Sequence, residues 1–296
     1  MTTSTREETT MPNIAYVNGE FLPEDQAKVS IFDRGFLFGD GIYEVTPVID
    51  GRLVDRAAHM GRLKRSLGEV RIDPPVPFEE IDALQAMLVE KNGVTEGRVY
   101  LQVSRGVAER DFPFPKDPRP SLVMFARQAS FVDTEASRRG IRVKTVPDLR
   151  WKRRDIKTVM LLASAMAKQE AIEAGFDDAW MVEDGLVTEG SSNNAYIVKD
   201  GVIKTRHLSN DILPGCTRRA LLALVDETEV KVEERPFSPD EARSADEAFI
   251  TSATNLVMPV VGIDDQMLGD GAPGPITKRL RQLYIDHARS EATPAA

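Results

Sequence analysis

At 296 residues, with 42% hydrophobic and 29% charged residues, the chain has the balance of a soluble globular protein and is long enough for one large domain or two ordinary ones. A net charge of −9 argues against a nucleic-acid binder, which shows a basic footprint, but leaves room for a small basic pocket that takes an anion. No apolar run approaches the ~18–20 residues a membrane span needs. The one cysteine, Cys216, cannot staple its own chain, which fits a reducing cytoplasm.

Residues 1–12 are polar and rich in Thr, without the apolar centre of a signal peptide, so they read as a frayed leader with structure starting near Ile14. Ile14 to Val17, Asn18-Gly19 and Glu20 to Leu22 predict a hairpin, because Asn-Gly supplies the positive backbone angles of a tight turn. Tyr43 to Ile49, Asp50-Gly51 and Arg52 to Val54 repeat that signal. His59, Leu63 and Leu67, spaced four apart, predict a helix; Leu84, Met87 and Leu88 predict a second, ending at Asn92-Gly93. Arg98 to Ser104 alternates as a strand does, and Ser121 to Ala126 is a short apolar run. Between Ala126 and Arg139 the composition turns polar, which sets a boundary between a smaller domain over 1–130 and a larger one over 136–296. Gly140 to Val146 alternates again. Lys157 to Ala174, rich in Ala, Leu and Met, predicts a buried helix. Ala179 to Val182, Asn194 to Val198 and Val202 to Thr205 read as strands separated by Asp-Gly turns. Thr217 is placed to cap a helix through Val225. Asp246 to Ser252 and Leu256 to Ile263 read as strands, and Ile276 to His287 as a closing helix. Strands in clusters, with helices grouped between them, predict an α+β fold.

Three places carry residue types suited to chemistry. Lys157 ends the basic stretch 152–157 and opens an apolar one. A lysine there is either a solvated charge at a helix edge or, partly desolvated, an amine that gives up its proton and attacks an aldehyde. Thr188 to Asn194 is by composition a polar loop. Read functionally, Glu189 offers a fixed carboxylate, and a pyridine nitrogen kept protonated by it makes the ring an electron sink. Leu213 to Arg218 sets a glycine and a capping threonine at a helix start, where backbone N–H groups face an anion. Cys216 could act there as an activated thiol but reads as a small packed residue. Ser252-Ala253-Thr254-Asn255 is a similar short polar element after a strand. His59, His207 and His287 lie far apart with no cysteine pair, which argues against a zinc cluster. Gly39-Asp40-Gly41 lacks the glycine-rich strand-to-helix setting of a phosphate fingerprint, and no Gly-x-Ser-x-Gly elbow occurs.

Taken in order, these segments resemble the fold-type IV pyridoxal-phosphate enzymes. Asp33-Arg34-Gly35 followed by Phe38 to Val45 is similar to the family's amino-terminal signature, and His59 to Leu63 to the segment that gives the cofactor phosphate its arginine. Asp155-Ile156-Lys157, Thr188 to Asn193 and Gly215 to Arg218 follow in the family's order. The resemblance spans about Ile14 to Ile285, and Tyr100 to Gly106 with Arg110 is similar to the D-amino-acid transaminase (D-alanine aminotransferase) branch. It implies two α/β domains with pyridoxal 5'-phosphate between them. It implies that Lys157 joins the cofactor as a Schiff base and moves the proton, and that Glu189 pairs with the pyridine nitrogen. Arg62, the backbone amides of Cys216 and Thr217, and the turn of Ser252, Ala253 and Thr254 are implied for the phosphate, with Leu213 against the ring. Tyr43 and Arg110 are implied for the substrate carboxylate, Arg110 reaching in from the other subunit of a homodimer, where its planar fork grips with two hydrogen bonds. One departure stands out: that branch carries a histidine two residues after the arginine, and here the residue is Phe112, which offers no hydrogen bond, preceded by Asp111.

The resemblance therefore implies transamination from a D-amino acid to a 2-oxo acid such as 2-oxoglutarate or pyruvate. Two alternatives keep Lys157 and Glu189. One is an (R)-selective amine transaminase, favoured by Phe112 and disfavoured by Arg110. The other resembles 4-amino-4-deoxychorismate lyase and eliminates pyruvate without an amino acceptor. A cofactor-storing protein would have no need of Glu189 as an electron sink. No metal, nucleic acid or membrane partner is expected.

Overall fold

The computed structural model describes residues 13–291, so the leader expected over 1–12 lies outside the described residues. The first sheet collects β1 (Ile14–Val17), β2 (Glu20–Pro23), β3 (Gly41–Ile49), β4 (Arg52–Leu53), β5 (Gly97–Ser104) and β6 (Ser121–Gln128) in the order β2-β1-β6-β5-β3-β4. Every pairing in it is antiparallel. Both predicted hairpins form, with φ of 48° and 107° at Asn18 and Gly19 and of 51° and 77° at Asp50 and Gly51. A short helix, α1 (Arg34–Phe38), starts at Asp33, whose carboxylate accepts the Gly35 N–H at 2.8 Å. The alternating side chains Val99, Leu101 and Val103 of β5 are buried with Leu63 and Leu67 of α2 (Arg56–Glu69) and Ile81 and Leu88 of α3 (Phe78–Lys91). Burying one such side chain stabilises by about 1.5–3 kcal/mol.

The chain then passes through α4 (Glu135–Arg139) into a nine-stranded mixed sheet. Its strands are β7 (Ile141–Pro147), β8 (Asp178–Glu183), β9 (Leu186–Gly190), β10 (Asn194–Lys199), β11 (Val202–Thr205), β12 (Lys231–Glu234), β13 (Glu247–Ser252), β14 (Leu256–Ile263) and β15 (Gln266–Met267). The order is β12-β11-β10-β13-β14-β7-β8-β9, with β15 paired to β14. One core joins the sheet to α6 (Cys216–Asp226) and α8 (Pro275–Glu291): Leu221, Val225, Leu280 and Tyr284 pack with Tyr196, Phe249 and Val257. A second gathers Trp180, Phe237, Ile250 and Ile263, with Ala242 of α7 (Pro239–Arg243).

Three expectations give way. The helix predicted from Lys157 starts only at Leu162, as α5 (Leu162–Glu173). Residues 157–159 instead run beside β3: the Tyr43 N–H donates to the Lys157 carbonyl at 3.0 Å and the Val159 N–H to the Gly41 carbonyl at 3.1 Å. Tertiary pairing here overrides helix propensity. Nor is α5 buried: only Ala167 and Ala171 are, while Leu162 and Met166 are 75% and 60% exposed. Secondly, Thr188 to Gly190 belongs to β9 and not to a loop; the turn comes at Ser191 to Asn193. Thirdly, the N-cap of α6 is Gly215, so Thr217 lies inside the first turn and does not cap it.

Candidate active site

A cavity of about 1630 Å³ is lined by residues of both sheets, among them Lys157, Tyr43, Arg62, Glu189, Leu213, Cys216, Thr217, Ser252, Ala253 and Thr254. Lys157 reaches it because its backbone is fixed along the start of β3. The side chain is half-buried, and its amine lies 4.2 Å from the centre of the Tyr43 ring, which stacks on Tyr100 at 5.7 Å. Among the described residues the amine makes no hydrogen bond or ion pair.

Glu189 is the buried end of β9. One carboxylate oxygen accepts from the Arg150 guanidinium at 2.6 Å; the other accepts from the Asn194 amide at 2.9 Å and the Leu213 N–H at 3.1 Å. Burial pushes this carboxyl up from its ordinary range, and Arg150 pulls in the opposite direction. Arg150 is itself clamped by Asp148 at 2.7 Å. Asn194 also donates to the Leu213 carbonyl at 2.9 Å. A Cβ added at Gly215 would fall 2.3 Å from the Asn194 Oδ1, so this close approach requires glycine.

The third cluster is cationic. Arg62, one turn along α2 from His59, donates through Nε and Nη2 to the two oxygens of Glu44 at 2.8 and 2.7 Å, and through Nη1 to the Pro214 carbonyl at 3.1 Å. His59 Nδ1 meets Glu44 at 2.7 Å. Burial alone would raise the Glu44 carboxyl; Arg62 and His59 outweigh it and hold it at about 2. Burial would likewise strip the charge from His59, but Cys216 and Glu44 push it up to about 9. The cluster therefore sets the Arg62 guanidinium and the His59 imidazole around one buried carboxylate. Three of the five Arg62 N–H groups are engaged, which leaves two for an anion. The first turn of α6 adds its unpaired N–H groups and the positive end of the helix. The buried Thr217 hydroxyl makes no hydrogen bond of normal geometry. Ser252 accepts the Asn255 N–H at 3.1 Å and keeps its own proton free to donate.

Amine, buried carboxylate and anion seat thus share one cavity, a donor set that fits a pyridine carrying an aldehyde and a phosphate. Arg110 stands apart. It is exposed, lies 5.5 Å from the Phe38 ring and does not line the cavity of its own chain. Phe112 is 77% exposed and packs edge-on against Phe38 at 5.7 Å. The sequence by itself assigns no role to Glu44, Arg150 or Asn194. Glu44 falls inside the Phe38 to Val45 segment, but its partners lie a helix away; Arg150 belongs to no motif. Replacing Arg62 by alanine removes the anion clamp and leaves Glu44 buried with His59 alone. We expect cofactor affinity to fall by ~1.5–3 kcal/mol, the worth of a hydrogen bond to a charged group, or roughly 10- to 150-fold. Titration of the cofactor-free variant by absorbance measures it, and an unchanged Kd removes Arg62 from the phosphate seat.

Fold and site define an aminotransferase of fold type IV. The profile of amino-transferase class IV matches residues 41–263, and the chain belongs to that family. Among its relatives, the D-alanine aminotransferase of Bacillus licheniformis is 39% identical over 274 residues, covering 93% of this chain and 96% of the relative. That of Staphylococcus epidermidis is 37% identical over 277 residues, covering 94% and 98%. A solved branched-chain amino acid aminotransferase of T.th., complexed with N-(5'-phosphopyridoxyl)-L-glutamate, superposes with a TM-score of 0.87 at 26% identity, covering 94% of this chain and 95% of that one. The α+β fold, the aminotransferase class and pyridoxal 5'-phosphate as cofactor, all expected from the motifs, are borne out.

Proposed function

We propose that the chain transfers the amino group of D-amino acids, D-alanine among them, to a 2-oxo acid such as pyruvate or 2-oxoglutarate. The observation that carries this reading is the amine of Lys157 in one cavity with a buried carboxylate and a cationic anion seat; the names of the relatives at 37–39% identity support the choice of substrate. When bound, pyridoxal phosphate supplies the aldehyde that captures an amino group and the ring that draws electrons from the substrate carbon. The chain does the rest. Lys157 holds the cofactor and moves the proton at its Nζ. Glu189, fixed by Arg150, Asn194 and Leu213, would pair with the ring nitrogen. Arg62, the N–H groups of Cys216 and Thr217, and Ser252, Ala253 and Thr254 would seat the phosphate, Leu213 would pack against the ring, and Tyr43 would belong to the pocket for the substrate carboxylate.

In this reading the chain is a cytoplasmic homodimer, built from a smaller domain over 1–130 and a larger one over 136–296. The two separate sheets support the division, and Phe36, Leu149 and Leu162, 72–77% exposed at the cavity's edge, support a partner that covers them. Among the described residues no helix is long and apolar enough to cross a membrane. A substrate panel tests the reading: D-alanine, L-leucine, a neutral (R)-amine and 4-amino-4-deoxychorismate, each with and without 2-oxo acid. D-alanine with an acceptor should lead. Preference for L-leucine would reverse the assigned hand, and pyruvate release without an acceptor would make the protein a lyase.

Arg110 separates the transaminase readings. If it reaches the partner's cavity and grips the substrate carboxylate, Arg110→Ala lowers kcat/KM for D-amino acids by ~2–3 kcal/mol and leaves the neutral (R)-amine nearly untouched. Equal loss on both substrates would give Arg110 a structural role instead.

A further inference from the structure

Cys216 is the sole cysteine of the chain. The phosphate seat needs only its backbone N–H, so its side chain is free for another role. That side chain is 5% exposed, yet it lines the cavity from the first residue of α6. Its sulfur, a ring nitrogen of His59 and a carboxylate oxygen of Glu44 all lie within 4.8 Å of one another. His59 is oriented by Glu44 through Nδ1, and its buried Nε2 has no hydrogen-bond partner among the described residues. The arrangement is a thiol beside an imidazole that a buried carboxylate holds in place, at the positive end of a helix and close to the Arg62 guanidinium that the same carboxylate binds; reactive cysteines sit in such electropositive settings.

We propose that Cys216 is a peroxide-reactive thiol whose oxidation closes the phosphate seat to pyridoxal phosphate, and that a seated phosphate shields it. This rests on the phosphate seat of the proposed function. The sulfur, shedding its proton, attacks one oxygen of hydrogen peroxide; an S–O bond forms and the O–O bond breaks. Sulfur loses two electrons, and the departing hydroxide takes a proton to leave as water, so that thiol plus peroxide gives sulfenic acid plus water. A second peroxide adds another oxygen, releases another water and leaves a sulfinate, an anion where the phosphate dianion must sit. His59 acts through the sulfur and is a positioning residue for it.

With one cysteine in the chain, a thiol adduct reports on this site alone. Cofactor-free protein is treated with hydrogen peroxide and dimedone, and the adduct is followed by intact mass. We expect trapping at least roughly tenfold faster than in the urea-unfolded chain, as for a thiol in an electropositive setting. Inorganic phosphate or pyridoxal phosphate should slow it, and His59→Gln should slow it as well. Oxidised protein, desalted, should take up less pyridoxal phosphate by absorbance, and dithiothreitol should restore uptake to the sulfenic form. Cys216→Ser should take up the cofactor equally before and after peroxide, which separates the thiol from methionine oxidation. A folded-state rate no faster than the unfolded one, no protection by phosphate, or equal cofactor uptake before and after oxidation overturns the proposal. Uptake by the untreated protein is the separate check on the functional reading.

Discussion

Lys157→Ala should abolish steady-state turnover. The amine is asked both to hold the cofactor and to move the proton, and positioned proton transfer by itself contributes about 10²–10⁴-fold. The fold should survive the change, because the Lys157 side chain makes no hydrogen bond or ion pair among the described residues; its backbone is what pairs with β3. A folded, inert protein is therefore the expected outcome, with circular dichroism as the control. Borohydride reduction of the unmodified protein, followed by peptide mapping, should place the cofactor on residue 157. An adduct on another lysine would sink the assignment.

Glu189→Gln should divide the two functions of the site. Glutamine keeps the shape and can still accept from Asn194 and the Leu213 N–H, so the cavity stays built. It removes the negative charge and leaves the Arg150 guanidinium with Asp148 as its only anionic partner among the described residues. On the proposed reading, a ring nitrogen paired with a neutral amide would no longer be held protonated, and the substrate carbon would lose its electron sink. We expect kcat to fall by about 10²–10³-fold, the scale of losing one preorganised electrostatic partner, while the cofactor Kd changes far less than in Arg62→Ala. Measuring kcat and cofactor Kd on both variants decides it. Were Glu189→Gln to shed cofactor and Arg62→Ala to lose only rate, the roles would be the reverse of those argued.

The parts of this fold legible in the sequence are those set by local chemistry. Asn18-Gly19 and Asp50-Gly51 need positive φ and sit where the chain turns; the four-residue spacing of His59, Leu63 and Leu67 buries one face of α2. The misreadings arise where distant strands decide. Lys157 to Val159 looks helical by composition, but its hydrogen bonds go to β3, more than a hundred residues earlier. Thr188 and Glu189 look like loop, yet β8 takes them into its sheet. In the cavity, Lys157, Glu189 and Arg62 could be singled out from the sequence because each lies in a segment that follows the family's order. Arg150 could not, since its role exists only through a carboxylate 39 positions away, and the Cys216–His59 neighbourhood is made by α2 and α6 meeting across 157 positions of chain.

The backbone stitch between residues 41–43 and 157–159 has a consequence for how the protein can be divided. The segment that presents the amine is anchored on the first sheet, and Arg62 stands on α2 beside it. The buried carboxylate and the helix that faces the anion belong to the second. A fragment beginning near residue 136 would keep its lysine but lose the edge that aims it, along with Arg62. The polar segment between the sheets is therefore a place where the chain tolerates a cut only while both pieces stay together, so this enzyme cannot be pared down to the half that carries Lys157 and Glu189.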